Sequence, residues 1–297
     1  MKNISMYVFF LFTGTLFSQN NFQGKATYQS KTTVAMDFEG REMSEEQKKM
    51  IQQRMKGMFE KSYVLTFDKA SATYKEEEKL ATPGQGGRGG FMMMSGFTGG
   101  LQYKNTKDGV LLEAKEFFGK KFLIKEDLKK PDWVLGTETK QIGNYLCFKA
   151  TMIKKVDDFD FKSMRPKKQK GKKNGKQGKK KGAGKQSKSS NMISISDEIE
   201  MPKEIEVTAW YTPQIPVSNG PGSYWGLPGL ILEINEGKTT ILCSEITLNP
   251  TDKATIKAPT KGKEVSRKKY NTIVKKKREE MRERFQNRRG GKGRGHF

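Results

Sequence analysis

Few side chains in this sequence are equipped for chemistry. The single histidine, His296, sits in a glycine-rich tail, and the only cysteines are Cys147 and Cys243. A Ser-His-Asp or Cys-His arrangement needs an imidazole held rigidly beside its nucleophile, and a zinc hydrolase needs His or clustered Cys ligands, so most enzyme templates fall away. Carboxylates remain. Asp157, Asp158 and Asp160 form one cluster, and Asp197, Glu198 and Glu200 another. Such groups can serve as acid–base pairs or hold Ca²⁺. Both clusters flank a run of lysines, however, and compensation of that charge is the simpler reading. The triplet Met92-Met93-Met94 offers thioethers to Cu(I), but without His or Cys beside it the donor set is weak. These residues imply no cofactor and no metal site. The two cysteines lie in strand-like segments. Paired in an oxidising compartment they would close a loop of 96 residues, worth roughly 4 kcal/mol if unstrained. The alternative is two separately buried thiols.

The elements that must position these groups follow from periodicity. Lys2 precedes an apolar run from Met6 to Phe17, and Ser18 is followed by the polar pair Gln19-Asn20. This is the layout of a signal peptide, too short for a spanning helix, and it predicts a mature start at Gln19. No cysteine follows the run, so lipid attachment there is not expected. Phe22 to Phe38 alternates as a strand. Ser44 and Gln47 fit a capping box opening a helix with Met50, Ile51, Met55, Met58 and Phe59 at helical spacing. This methionine stripe reads as packing rather than metal chemistry. Further strands are expected at Tyr63 to Phe67, Ala70 to Tyr74, Leu101 to Tyr103, Val110 to Phe117, Lys121 to Ile124, Trp133 to Leu135 and Ile142 to Ile153. The series ends with Glu204 to Tyr211, Leu230 to Asn235 and Thr239 to Leu248. Pro83 to Gly100 reads as a glycine-rich loop with an apolar tip. Tyr270, Ile273, Val274, Met281 and Phe285 predict a C-terminal helix ending in an Arg-Gly tail.

The net charge of +24 changes meaning once located. Residues 161–190 hold 13 Lys or Arg and no acid, while residues 261–297 hold 15 against four Glu. The rest of the chain balances at 29 of each sign. A DNA-binding body would normally carry its own basic face. The basic segments therefore read first as solvated loops, next as contacts for anionic lipid or lipopolysaccharide phosphate, and last as a nucleic-acid arm. The aromatics that would stack bases are missing from the lysine-rich insert. The organisation is a signal peptide at 1–18, a β-rich domain at 19–160 and 191–260 interrupted by a Lys/Gly-rich insert at 161–190, and a basic helix and tail at 261–297.

One stretch is distinctive. Trp210, Tyr211, Pro213, Pro216, Gly220, Pro221 and Tyr224 lead into Trp225-Gly226-Leu227-Pro228-Gly229-Leu230-Ile231. Physically it is a strand end, a rigid proline-rich crossing and a tight turn, in which Gly226 and Gly229 free the backbone on either side of Pro228. It reads as a corner of the sheet with Trp210 and Trp225 plugging the core, or alternatively as a ligand site. Residues Gly226 to Ile231 match without departure the signature of the GLPGLI family, exported proteins found mainly in Bacteroidetes. Similarity extends to the Tyr145–Ala150 segment, the Trp133 region and the Pro259–Val265 approach to the last helix. The resemblance implies an envelope protein often encoded beside outer-membrane receptors, and it brings no catalytic residues.

The expected fold is one strongly curved antiparallel sheet, a half-barrel like those of periplasmic lipoprotein carriers, with a helix near the N-terminus and another at the C-terminus. A β-sandwich is the alternative. The expected function is a non-catalytic periplasmic or envelope binding or assembly protein. Its concave face would take an apolar ligand or an outer-membrane partner segment, while the basic segments contact the membrane surface. Metal handling through Met92–Met94 and the acidic clusters is the second reading, and carboxylate hydrolysis through Asp157 and Asp160 the third.

Overall fold

The computed structural model describes residues 22–33, 44–47, 49–50, 59–77, 100–155, 165–166, 199–200 and 203–290. Several expectations fall outside these residues: the signal peptide, the glycine and methionine loop short of Gly100, Asp157 to Asp160, Asp197 and Glu198, nearly all of the lysine-rich insert, and the Arg-Gly tail.

The described residues form fourteen strands: β1 (Gly24–Thr32), β2 (Glu60–Phe67), β3 (Ser71–Glu76), β4 (Leu101–Asn105), β5 (Val110–Phe117), β6 (Lys120–Asp127), β7 (Val134–Ile142), β8 (Tyr145–Lys155), β9 (Arg165–Pro166), β10 (Ile199–Glu200), β11 (Glu204–Thr212), β12 (Leu230–Glu236), β13 (Thr239–Leu248) and β14 (Lys263–Val265). Twelve join one open sheet in the order β14-β6-β5-β4-β3-β2-β1-β13-β12-β11-β8-β7, and β9 with β10 makes a small ribbon. Neighbours run antiparallel except β14 beside β6, which is parallel. The sheet is thus continuous and unclosed, as expected, and not a pair of separate facing sheets.

Alternation sets the inner face. Ala26, Tyr28 and Ser30 of β1 turn inward, register with Leu65, Tyr63 and Lys61 of β2, and leave Lys25 and Gln29 outside. Tyr63 stacks on Tyr74 of β3 with centroids 4.8 Å apart. One buried cluster joins β1–β3 to β8, β11 and β12. Strands so far apart in the sheet order can share a core only if the sheet bends around it. A smaller cluster of Phe117, Phe122, Ile124, Val265, Tyr270 and Val274 seats the C-terminal helix, Arg267–Gly290, against β5 and β6. Ser266 caps this helix: its Oγ accepts from the Lys269 amide at 3.3 Å.

Local chemistry explains the turns. Asp68 Oδ1 accepts from the amides of Ala70 (2.8 Å) and Ser71 (2.6 Å), closing the β2–β3 hairpin. Phe118 and Gly119 both take positive φ, 50° and 71°, as a two-residue hairpin turn requires, and the Phe118 ring lies edge-on to Phe117 at 4.7 Å. The capping box is in place as well, with Ser44 N donating to Gln47 Oε1 and Gln47 N to Ser44 Oγ, both at 3.2 Å. Met50, expected to pack, is exposed.

Two elements differ from expectation. Residues expected as a short strand at Trp133 to Leu135 and a long one from Ile142 instead form a full hairpin, β7 and β8, turning at Gly143. Every residue from Val134 to Gln141 is exposed, so β7 carries no apolar alternation and is held by backbone pairing to β8. Strand β14 is three residues long, too short to leave a period.

Candidate functional site

The crossing from Pro213 to Gly229 has no regular secondary structure, yet much of its backbone is hydrogen-bonded within itself and against β12. Val217 N donates to Ile215 O and Asn219 N to Val217 O, each at 2.8 Å, while the amides of Leu230 and Ile231 reach back to Ile215 O and Asn219 O at 3.0 Å. Ser218 Oγ accepts from Gly226 N at 3.0 Å. Prolines at 213, 216, 221 and 228 have no N–H to satisfy, which lets a non-repetitive chain be buried cheaply. Gly226 sits at φ 94°, and a Cβ on Gly229 would lie 2.1 Å from Thr212 O, so backbone packs directly on backbone.

Side chains from distant strands tie the crossing down. Lys104 of β4 is fully buried, and its Nζ donates to Gly220 O at 2.9 Å and Tyr224 O at 2.8 Å. Loss of hydration pulls its pKa down to about 7. Tyr28 Oη donates to Ile231 O at 2.7 Å. Trp133 Nε1 donates to Trp225 O at 2.8 Å, and Trp225 Nε1 returns the bond to Lys129 O at 3.2 Å, so two indoles clasp the β6–β7 connection to the crossing. Lys154 lies over the Tyr224 ring at 5.6 Å while bonded to Glu236.

The inner side of the sheet is consequently filled by the chain's own side chains. Ile215, Val217, Tyr224 and Leu227 are buried in one cluster with Tyr28, Leu65, Phe67 and Tyr74. The expected plugs, Trp210 and Trp225, are only half-buried, and Tyr224 and Leu227 take that place. Leu230 and Ile231 are fully buried, and Tyr211 packs on Phe148 at 6.2 Å. Gly220 and Pro221 are buried in the crossing, whereas Pro213, Pro216 and Pro228 face outward.

Trp210 belongs to another constellation. Lys140 of β7 reaches across β8 and β11 to Glu233, with Nζ–Oε2 at 2.6 Å, and stands 5.4 Å over the Trp210 ring. Asn235 Nδ2 donates to Glu233 Oε1 at 2.7 Å. The signal for this group is present in the sequence as one carboxylate inside the apolar run Leu230–Ile234. At the far end of the sheet, Arg267 bonds Glu126 Oε2 and Glu113 Oε2, each at 2.6 Å, and Lys115 meets Glu113 at 2.9 Å. Burial pushes the Glu113 carboxyl up, but Lys115 and Arg267 outweigh it and hold it below the ordinary range.

The possible Cys147–Cys243 disulfide is not formed. Both are free thiols. Their strands, β8 and β13, are separated in the sheet by β11 and β12, whereas a bridge needs Cα atoms within about 7 Å. Each thiol instead donates to a carbonyl two residues away in its own strand, Tyr145 O and Glu245 O. Burial raises Cys147 to about 11 and Cys243 to about 12, so both are neutral. Among the described residues no group of three or more His, Cys, Asp or Glu is placed to hold a metal. No described helix is long and apolar enough to cross a membrane.

Two solved structures resemble the chain, described as the structure of PNGF-II in the C2 and P21 space groups. Identities are 12% and 11%, the TM-score is 0.45 in both cases, and each match covers 86% of this chain and 33% of the other. The chain thus spans about a third of the length of those chains. No curated protein matches it. A family model described as a protein of unknown function (Porph_ging) matches residues 133–233, from the Trp133 clasp through the whole crossing to Glu233.

Proposed function

We propose that this is a non-catalytic binding or assembly protein of the bacterial envelope, which recognises a partner polypeptide along its exposed β7 edge and not a small molecule in an enclosed pocket. The observation that carries this reading is the occupied inner face: an apolar ligand there would have to displace Ile215, Val217, Tyr224 and Leu227 from the core. Strand β7, by contrast, ends the sheet and, among the described residues, pairs with β8 alone. An unpaired strand edge is a template for an extended segment, with main-chain hydrogen bonds giving affinity and alternate side chains giving selectivity. The thiol chemistry and the sequence are compatible with it: both thiols are neutral at ordinary pH, and the single histidine lies in the tail. The apolar run before Ser18 supports the envelope placement.

Site-specific photo-cross-linking in the native host tests this. A photo-reactive residue at Thr137 or Gln141 of β7 is expected to capture a defined envelope protein, while the same residue at Lys25, exposed on the central strand β1, captures none. Equal labelling from Lys25 would remove the edge from the reading. Native mass spectrometry of the envelope-purified protein that found a stoichiometric apolar ligand would overturn it in favour of a carrier.

A further inference from the structure

We propose that strand β7 pairs antiparallel with β7 of a second copy of this chain, about a two-fold axis at Thr139; this names the partner in the reading above and rests on it. The backbone supplies the first observation. Hairpin β7–β8 closes through Gly143 and Asn144, with Ile142 opposite Tyr145. Gly143 takes a positive φ of 56° and Asn144 does not, as a type II′ turn requires. Ile142 and Tyr145 are then a hydrogen-bonded pair, so by alternation the N–H and C=O of Thr139 and Gln141 point away from β8. Among the described residues no strand pairs with that side.

The second observation is charge. Glu138 and Lys140 project from one face of β7, where Glu138 meets Lys149 of β8 at 2.7 Å and Lys140 meets Glu233 of β12 at 2.6 Å. Their side chains remain 64% and 43% exposed, so each has room for a further partner. In a two-fold antiparallel pair the residue at the axis faces its own copy. Centring on Glu138 or on Lys140 sets like charges directly opposite, which is destabilising. Centring on Thr139 sets Glu138 against Lys140 twice over, and it is the one antiparallel register that does so. The ion pairs already present then join across the seam as Glu233–Lys140–Glu138–Lys149, alternating in sign, with the last two from the second copy. Because each copy uses the same edge, the contact closes at two chains and cannot propagate. A foreign strand would match the backbone equally well, but nothing in β7 selects it, whereas the order Glu-Thr-Lys is complementary to itself.

Sedimentation of the purified full chain is expected to show a dimer that dissociates on dilution. Glu138→Lys, a change at an exposed position that sets like charges opposite across the seam, is expected to weaken it by roughly tenfold or more. Thr139→Cys reads the register. A hydrogen-bonded antiparallel pair holds its Cα atoms about 5.5 Å apart, within disulfide reach, so this variant should form a disulfide-linked dimer under mild oxidant. Gln141→Cys stands four residues out of register with its own copy, about 13 Å away. It should link no more than the unaltered chain, whose two thiols are neutral. A monomer at every concentration would overturn the proposal. So would equal linking by the two cysteine variants, or a dimer indifferent to Glu138→Lys. The photo-cross-links described above separate this from the wider reading. Capture of a different envelope protein from Gln141 by a chain that stays monomeric would sink the self-pairing alone; capture no greater than from Lys25 would remove the β7 edge and this proposal with it.

Discussion

The two edges of the sheet solve one physical problem in opposite ways. Strand β6 would expose a row of unpaired backbone groups, but β14 adds to it in parallel and the capped C-terminal helix then folds back onto β5 and β6. Its seal has an apolar part, Tyr270 edge-on to Phe122 at 5.4 Å, and a charged part, Arg267 between Glu113 and Glu126. Among the described residues strand β7 has no such cover. It is anchored from behind, by the Trp133–Trp225 clasp and by Lys140 on Glu233, and its outer side faces solvent. One edge has been invested with stability; the other has been kept free at the cost of a sticky margin.

That contrast can be broken by substitution, starting with the largest effect. Tyr270→Ala removes a buried ring from the seal and is expected to destabilise by about 3 kcal/mol in urea unfolding. Hydrogen exchange should rise first in β5, β6 and the helix. Arg267→Ala leaves Glu113, 3% exposed, with Lys115 and the Gln102 amide as partners in place of the guanidinium. A cost of about 2–3 kcal/mol is expected, below that of a fully buried pair because the guanidinium is partly solvated.

The pH dependence should separate the regions as well. Lys104 has a folded pKa of about 7, against roughly 10.4 in the unfolded chain. Between these values the unfolded state binds more protons, so stability rises with pH across that window, at up to about 1.4 kcal/mol per pH unit. A neutral amine still has two N–H donors for Gly220 O and Tyr224 O, so the latch survives deprotonation. Lys104→Met should flatten the slope. Glu113 works in the other direction: its depressed pKa gives stability present above the ordinary carboxylate value and lost as pH falls through the folded one, so acid loosens the helix edge first. At the smallest end, Leu135→Lys on β7 should shift unfolding by no more than about 0.5 kcal/mol, since the residue is exposed. A loss near 2 kcal/mol would mean that this edge is structural after all.

Much of the sheet was legible because one face of most strands is apolar. The alternation in β1, β2, β5 and β11, the Asp68 turn, the Ser44–Gln47 box and the last helix all follow from local pattern. What was hidden has no local cause. From Gly136 to Gln141 strand β7 is polar on both faces, so nothing in Gly136-Thr137-Glu138-Thr139 distinguishes it from a loop. Lys104 follows Gln102 and Tyr103 in a strand that reads as solvated, and only the arrival of a segment more than a hundred residues later buries it. The signature from Gly226 to Ile231 was conspicuous as a motif, but the filling of the inner face by Ile215, Tyr224 and Leu227 depends on where the crossing lands. Cys147 and Cys243 could be paired on paper, and sheet order alone keeps them apart.

Strand β1 sits at the middle of the sheet, with β2 on one side and β13 on the other, and that places a condition on the order in which the chain is delivered. Strands β1 to β6 pair with their neighbours in sequence and can zip as they emerge, but Gly24 meets Leu248 and Thr32 meets Thr239. The seam between the two halves must wait until more than two hundred residues have followed. Closing so long a loop is slow. A chain threaded from its N-terminus therefore passes through a stage with β1 paired on one side and bare on the other. Truncation anywhere before β13 would make that stage permanent, turning the centre of the finished sheet into a third open edge.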